Sequence, residues 1–259
     1  MPAELLASRH DHTLVLTLSD PATLNSLHPD MYAAAVETLE TAERDDSLRA
    51  IVLTGAGKAF CAGANLNRLL ENRAKDRSVQ ADETDRLHDW IAAIRDCSKP
   101  VIAAVEGSAA GAGFSLALAC DLIVAAQSTN FSMTPVKLGL TPDGGSSWFL
   151  SHTLPRQLVS EIMLDGEAVS AERLYQAGIV NRVVADGSAL DAALAWGESI
   201  AERSPQACMH IKALLRDAPS NSLQQHFDEE KQRFVDSLHH RDALEGISAF
   251  IEKRKAHYP

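Results

Sequence analysis

Two glycine-rich turns, each placed directly after a short buried strand, constrain the fold of this chain more than any other feature. The first strand is the run Arg49–Thr54, which is followed by a turn that begins at Gly55. The second strand is Val101–Val105, which is followed by a turn that begins at Glu106. Apolar runs of this length, bounded by glycine, are typical of strands covered on both faces of a parallel sheet. We therefore expect an α/β fold in which the two strands are neighbours and both turns lead into helices.

The first half of the sequence alternates between strand and helix patterns. Thr13–Leu18 alternates as a strand does, Pro29 begins an amphipathic helix, and Asp121–Ala125 is predicted as a fourth strand. The segment from Asn65 to Asp96 is rich in charge, and we expect a flexible polar surface that leads into a helix there. Strand, helix, strand repetition indicates parallel pairing with right-handed crossover connections.

The pattern changes to mostly helical from Pro155 onward, where only Ile179–Val184 is predicted to be extended. The last helices carry apolar faces that need something to cover. We therefore divide the chain into a core, residues 1–190, and a helical C-terminal region, residues 191–259. At 259 residues the chain is long enough to bury a large core without disulfides or metals.

Charge and cysteine usage exclude several classes of protein. The formal net charge is −11, so no general positive field exists to attract nucleic acid. The cysteines are far apart and form no Cys-x-x-Cys pair, and the ten histidines show no ligand spacing. We expect neither a metal site nor a disulfide framework. The four cysteines are Cys61, Cys97, Cys120 and Cys208.

The N-terminus shows no basic stretch followed by an apolar core, so we predict no secretory signal and a cytoplasmic location. The run Ala109–Ala126 is nearly apolar, but Asp121 within it would cost roughly 3 kcal/mol at a bilayer centre. Its small residues favour a helix and a strand buried inside the protein. No association with a membrane is expected.

Neither glycine turn has the spacing of a phosphate-binding motif. The turn after Thr54 lacks the Gly-x-x-x-x-Gly-Lys-Ser/Thr pattern, and Leu116 stands where a dinucleotide fingerprint would have its last glycine. Small residues at a strand-to-helix turn leave backbone N–H groups open to a ligand. Two such turns side by side could direct one N–H each at a single oxygen, as in an oxyanion hole. Close packing of helix on strand is the alternative explanation of the same residues.

Six segments in order resemble the crotonase superfamily, which is the enoyl-CoA hydratase/isomerase family. The resemblance covers nearly the whole chain and implies the crotonase (ClpP-like) fold, in which repeated ββα units form a spiral core and C-terminal helices mediate trimerisation. It also implies an acyl-CoA substrate. The segments are Leu24–Leu27, Gly57–Leu66, Lys99–Gly107, Cys120–Ala125, Gly139–Gly145 and Phe250–Lys255.

The resemblance assigns the two oxyanion-hole N–H groups to Ala64 and Ala112. Relatives have aspartate after the first position and glycine at the second; here these are Asn65 and Ala112, and we expect a negative φ at Ala112. Hydratases of the family use two glutamates, whose positions are occupied here by Ser115 and Pro135. Proline has no titratable group, and a serine hydroxyl is a poor base without a partner. A hydratase built on that pair is therefore not expected.

Asp143 is the remaining candidate for a general base. Placed after proline and before Gly-Gly-Ser-Ser, it is also a reasonable helix N-cap. In isomerase, dehalogenase and ring-forming branches of the family, a carboxylate in this region acts on the substrate. The amino-acid sequence around Asp143 most resembles that of the isomerases of aerobic phenylacetate breakdown. One carboxylate suffices to move a proton between two carbons of an unsaturated acyl-CoA.

Residues that contact the substrate or its CoA part are also implied by the resemblance. Phe250 and Lys253 lie in a tail that, in relatives, reaches the CoA of a neighbouring subunit, which implies a homotrimer or a dimer of trimers. No cofactor is expected, because CoA is part of the substrate. The complete set is Ala22, Leu24, Ala62, Gly63, Asn65, Leu66, Gly111, Pro135, Phe250 and Lys253.

Other activities remain as alternatives. A hydratase could recruit non-standard side chains, and a non-catalytic acyl-CoA-binding scaffold could keep the fold without the glutamates. A serine hydrolase is disfavoured because Ser115 is predicted to lie inside a helix rather than at a sharp turn. Cys61 lies between a strand and a turn, where packing is the simpler role for a small thiol.

Overall fold

Nine strands are present in a computed structural model of the protein, which describes residues 3–258. Six strands build a large sheet and three build a small one. Valine, isoleucine and alanine fill the central strands of the large sheet, as suits strands covered on both faces. The strands are β1 (Glu4–His10), β2 (Thr13–Ser19), β3 (Ala50–Gly55), β4 (Val101–Val105), β5 (Ser108–Ala110), β6 (Leu122–Ala126), β7 (Asn130–Ser132), β8 (Val169–Ser170) and β9 (Arg182–Val184).

The large sheet has the strand order β1-β2-β3-β4-β6-β9. All its neighbours pair in parallel except β1 and β2, which form an antiparallel hairpin at one edge. The four strands predicted in the first half are therefore present, and β3 and β4 are neighbours as expected. The sequence analysis missed β1, because this edge strand is almost entirely exposed and shows no apolar run.

Eleven α-helices fall within residues 3–258, and several begin at caps that the sequence indicates. Pro29 begins the first helix and Ser170 caps the seventh. The helices are α1 (Pro29–Glu43), α2 (Leu66–Arg73), α3 (Arg77–Asp96), α4 (Ala112–Ala119), α5 (Ser146–Thr153), α6 (Arg156–Asp165), α7 (Ala171–Gln176), α8 (Ala189–Ala201), α9 (Pro205–Asp217), α10 (Leu223–Leu238) and α11 (Arg241–Glu252).

The charged segment from Asn65 to Asp96 is helical, so the expectation of a flexible polar surface is wrong. Asp76 caps α3 by accepting a hydrogen bond from the backbone N–H of Ser78. The buried side chains of α3 recur at helical spacing, while its acids and bases mostly face outward. Only the second half of this pattern is visible in the sequence, because the first half carries few apolar residues.

The small sheet lies where the strands of the large sheet continue into their turns. β5 pairs in parallel with β7, and β7 pairs antiparallel with β8. Each of the units β4-β5-α4 and β6-β7-α5 thus sends one strand to each sheet before its helix. Cys61 forms a parallel bridge with Ala109, which brings the turn after β3 into the same arrangement. The predicted repetition of ββα units is confirmed.

The C-terminal helices associate with the core in different ways. α8 packs Ala189 and Ala193 against the face of the large sheet, so the division at residue 190 falls within a helix that belongs to the sheet's packing. α10 and α11 leave large apolar side chains exposed. No helix within residues 3–258 is long and apolar enough to span a membrane. The exposed side chains include Phe227, Phe234, Leu244, Ile247, Phe250 and Ile251.

Candidate active site

The turn after β3 is held in place by the segment Leu24–Leu27. The buried Asn25 side chain donates hydrogen bonds from Nδ2 to the carbonyl oxygens of Ala56 and Ala59, at 2.9 and 2.7 Å. The backbone N–H of Leu27 donates to the carbonyl of Gly63 at 2.8 Å. These bonds satisfy carbonyl groups that a tight turn would otherwise leave unpaired, and they make the turn rigid.

The turns after β3 and β4 lie in direct contact with each other. The N–H of Ala110 donates to the carbonyl of Cys61 at 2.9 Å. A Cβ atom built on Gly63 would lie only 2.5 Å from the carbonyl oxygen of Ala110 and 3.3 Å from the amide nitrogen of Ala112. Gly63 and Gly111 have φ values of +88° and +51°, a region that favours glycine. The approach therefore depends on glycine.

The amides of Ala64 and Ala112 remain free at this contact. Within residues 3–258, neither N–H donates a hydrogen bond to another group. Ala112 is the first residue of α4, so its amide also lies at the positive end of the helix dipole. Its φ is not among the positive values of the described chain, as expected. Both residues line one narrow cavity, an arrangement that can stabilise negative charge on a single oxygen.

Asp143 lines the same cavity. It is not the N-cap of α5, a position that Gly145 occupies instead. The main-chain carbonyl of Asp143 accepts hydrogen bonds from the hydroxyls of Ser115, at 2.8 Å, and Ser146, at 3.4 Å. These bonds fix the backbone of Asp143 at the wall of the cavity that the two free amides also line.

Burial raises the pKa of Asp143 above its ordinary value. Its own backbone N–H and the nearby charge of His88 lower the pKa, but they only partly offset burial. A carboxylate with a raised pKa binds a proton more strongly, which makes it a better base when it is ionised. The direction of this shift suits a group that removes a proton from carbon.

α2 and α3 form the opposite wall of the cavity. Arg68 and Glu83 face each other there in a two-point ion pair, with Nε to Oε2 at 3.0 Å and the second nitrogen to Oε1 at 2.5 Å. Burial favours the protonated form of Glu83, but hydrogen bonds from Arg68 and Asn72, with the charge of Arg68, outweigh it and lower the pKa. Gln80, Leu69, Thr84 and Leu87 complete this wall.

The cavity measures about 30 Å³. One water occupies roughly 10–15 Å³ by the same measure, so this cavity has room for about two waters. The two free amides, Asp143 and the Arg68–Glu83 pair surround this space.

Ser115 and Pro135 lie near the second turn but bring no carboxylate to it. Ser115 is buried inside α4, where its hydroxyl donates to the Asp143 carbonyl rather than to a base. Pro135 belongs to a 3-10 turn, and its ring lies 3.7 Å from where a Cβ on Gly111 would be. Cys61 is fully buried, and burial raises the pKa of its thiol to about 12, as suits a packing role.

The residues predicted to contact the substrate fall into two groups. Asn65 lines the cavity and caps α2 by accepting from the N–H groups of Asn67 and Arg68. Nearby, Ala62 donates its N–H to the carbonyl of Leu24 at 3.0 Å. Leu24 is half exposed, as is Leu66 at the start of α2, and Ala22 lies in the exposed 3-10 turn next to this segment. Of this first group, Asn65 lines the cavity itself, and the others lie in the segments next to it.

Phe250 and Lys253, the second group, lie at the end of α11. Phe250 is 86% exposed, and neither residue is among those that line the cavity of the same subunit. A contact with CoA from this position would have to come from a neighbouring subunit. That contact remains a prediction.

The sequence analysis missed Tyr32, Arg68 and Glu83 as residues of the site. Tyr32 lies on the apolar stripe of α1, where an aromatic residue is usually core. Arg68 and Glu83 are fifteen residues apart and come together only because the chain turns at Asp76. A mixed-charge helix otherwise resembles a solvated surface, so only the structure identifies this wall.

The fold of ββα units, with two free amides and one carboxylate that line the same cavity, agrees with the crotonase resemblance of the sequence. The family description enoyl-CoA hydratase/isomerase matches residues 9–259, so the chain belongs to the enoyl-CoA hydratase/isomerase, or crotonase, family. Among curated proteins, it is 37% identical to the 2,3-dehydroadipyl-CoA hydratase of Escherichia coli K12, over 97% of each chain. It is 36% identical to the 1,2-epoxyphenylacetyl-CoA isomerase of the same strain, over 95% of this chain and 94% of the relative.

Solved structures confirm the fold class. A crystal structure of an enoyl-CoA hydratase from Polaromonas sp. JS666 aligns with a TM-score of 0.98 and 48% identity, over 99% of this chain and 100% of the other. The chain is therefore an acyl-CoA enzyme of a family that contains both hydratases and isomerases. Its sequence identity to the curated hydratase is nearly the same as its sequence identity to the curated isomerase.

Proposed function

We propose that this enzyme moves the carbon–carbon double bond of an unsaturated acyl-CoA, with Asp143 as the base that carries the proton. One observation supports this most directly: the cavity holds two free amides and one carboxylate that is not bound to a cation. The other carboxylate, that of Glu83, is held by Arg68. The 36% identical isomerase from Escherichia coli adds support from similarity.

The reaction requires only one acid–base group. In a 3-enoyl-CoA, the Asp143 carboxylate removes a proton from C2, and the electron pair moves toward the thioester oxygen. The amides of Ala64 and Ala112 stabilise the dienolate that forms. The protonated Asp143 then returns the proton to C4 on the same face, and the double bond forms between C2 and C3. The proton is conserved, and the chemistry uses the protein's own groups.

Hydration is the second candidate, and the 37% identical hydratase is the observation that favours it. Addition of water requires a group that activates a water molecule and a group that protonates carbon. Ser115 donates its hydroxyl hydrogen to a carbonyl, and Pro135 has no titratable group, so Asp143 would have to act alone. The structure therefore favours isomerisation.

The test compares two substrates in wild type and two variants. Wild type is incubated with a 3-enoyl-CoA and, separately, with crotonyl-CoA, and the products are separated by chromatography. Asp143→Asn keeps the shape of the side chain, and Asp89→Asn makes the same change at an exposed position of α3. We expect isomerisation in wild type and Asp89→Asn, and a loss of about 10²–10⁴-fold in Asp143→Asn.

Two outcomes would overturn the proposal. Hydration of crotonyl-CoA that persists in Asp143→Asn, with no isomerisation in wild type, would identify a hydratase. Binding of acyl-CoA without exchange of α protons for deuterium in D₂O would identify a non-catalytic scaffold.

We also propose that the enzyme assembles as a homotrimer or a dimer of trimers. The exposed apolar side chains of α10 and α11 support this, because contiguous apolar surface of this kind usually mediates association. In such an assembly Phe250 and Lys253 would contact the CoA bound to a neighbour. Sedimentation of the wild-type protein as a monomer would refute both statements.

A further inference from the structure

Tyr32 presents a phenol to the candidate active site from the first turns of α1. The residue is 8% exposed and lines the cavity together with Asp143. Its ring packs against Trp90, with centroids 6.1 Å apart and planes tilted by 44°. Trp90 is itself fully buried in α3. The packing holds the tyrosine ring in a fixed position at the wall of the cavity.

The hydroxyl of Tyr32 lacks a partner inside the protein. Within residues 3–258, it forms no hydrogen bond with another residue. Burial raises the pKa of the phenol far above its ordinary value, and the negative charge of Asp143 raises it further. The group therefore remains a neutral O–H donor under all working conditions. The hydroxyl is not among the fully buried polar atoms that lack a partner, so it is open to a water or a ligand that accepts its hydrogen bond.

The wall opposite Tyr32 is polar but carries little net charge. Arg68 and Glu83 neutralise each other, and Gln80 and Thr84 hydrogen-bond to each other at 3.4 Å. Among the residues that line the cavity, Asp143 is the charged residue that forms no ion pair within residues 3–258. An acyl group that is a plain hydrocarbon would displace water from Tyr32 without replacing its hydrogen bond. An acyl group with a second carboxylate would meet the repulsion of Asp143.

We propose that Tyr32 is a specificity-determining residue whose hydroxyl donates a hydrogen bond to a neutral oxygen on the acyl group. The substrate class is then an unsaturated acyl-CoA that carries a hydroxyl, ether or carbonyl oxygen beyond the carbons on which Asp143 acts. This inference names the substrate of the proposed isomerase and rests on it for the reaction. The preference for oxygen itself depends only on binding.

The experiment compares wild type with Tyr32→Phe, which removes the hydroxyl and keeps the ring. Tyr175→Phe is the matched control, because Tyr175 is an exposed tyrosine on α7, outside the cavity. The substrates are 3-hexenoyl-CoA and its 6-hydroxy derivative, which differ in one oxygen. We expect wild type and the control to prefer the hydroxylated substrate about tenfold in kcat/KM, the discrimination of one neutral hydrogen bond. In Tyr32→Phe, the ratio of kcat/KM for the two substrates should fall to about one.

A binding measurement separates this inference from the proposed function. Calorimetry with hexanoyl-CoA and 6-hydroxyhexanoyl-CoA, neither of which can isomerise, gives the preference without catalysis. The tenfold preference in wild type and its loss in Tyr32→Phe support the inference even if no isomerisation is found. Equal binding of both thioesters by wild type overturns it. An equal fall in rate with both enoyl substrates also overturns it, because Tyr32 would then act through Asp143.

Discussion

Replacing Gly63 by alanine tests whether the contact between the two turns creates the oxyanion hole. The added Cβ would lie 2.5 Å from the carbonyl oxygen of Ala110, whereas ordinary van der Waals contact begins at 3.4 Å. The Cβ is bonded directly to the main chain and the oxygen is part of it, so neither can rotate away, and hydrogen bonds hold both turns in place. The turns would have to separate by about 0.9 Å, the difference between these distances.

A separation of this size removes one of the two hydrogen bonds to the thioester oxygen. Effective donors lie about 2.7–3.1 Å from the oxyanion, and a further 0.9 Å takes one donor beyond that range. Loss of one donor from an oxyanion hole costs about 10²–10³-fold in kcat. The positive φ of Gly63, +88°, adds about 1–2 kcal/mol of backbone strain, which lowers stability.

Gly57→Ala is the matched control, because Gly57 lies in the same turn with a φ of +75° and has nothing within 4 Å of its Cβ position. It shares the strain and lacks the clash. The assay is the absorbance of the conjugated enoyl thioester formed from a 3-enoyl-CoA, with urea unfolding measured in parallel. Gly63→Ala should lose kcat while Gly57→Ala keeps it within about threefold. A folded Gly63→Ala enzyme with kcat near that of wild type would refute the reasoning.

Two further changes test stability. Burial raises the pKa of Asp143, so the folded protein binds this proton more tightly than the unfolded chain does. Wild type therefore loses stability as the pH rises from 3.8 through the folded-state pKa. Asp143→Asn should therefore unfold at higher urea concentration than wild type at pH 7, with the difference vanishing below pH 3.8; lower stability of the variant at pH 7 would contradict this. The buried ammonium of Lys212 donates to the carbonyls of Ile94 and Lys99 and pairs with Asp121 at 2.7 Å, so Lys212→Met should cost about 3–5 kcal/mol in urea unfolding. A loss below about 1 kcal/mol would show that this pair does not fasten α9 to the core.

The central part of the site can be predicted from the sequence, because it consists of main-chain N–H groups. A buried strand followed by glycine and small residues indicates where free N–H groups lie, whatever the surrounding side chains are. Ala64 and Ala112 could therefore be placed from local patterns together with the family resemblance. Asp143 was ambiguous, since a carboxylate after proline also suits a helix cap, and only the structure gives that cap to Gly145.

The wall of the cavity could not be predicted, because it depends on how distant elements meet. Arg68 and Glu83 look like surface charges along the sequence, and their pairing requires the tight turn between α2 and α3. Tyr32 looks like a core residue, which it is, except that its hydroxyl reaches the cavity. The hydrophobic periodicity and the charge pattern predict which face of a helix is buried, but they do not predict whether a ligand site lies under that face.

The main-chain amides and the side-chain carboxylates of this site have different chemical roles. Close packing between the turns supplies the amides, and the loop before α5 also packs closely on α4, since a Cβ on Gly144 would lie 2.8 Å from the Cβ of Ser115. Stabilisation of an enolate is therefore built into the backbone, while the carboxylates that reach the substrate decide what becomes of it. The sequence identities of 37% to a hydratase and 36% to an isomerase reflect the main-chain arrangement that is common to both reactions. Under the proposed function, the residues at 115, 135 and 143 distinguish the two reactions, and Asp143 carries the proton.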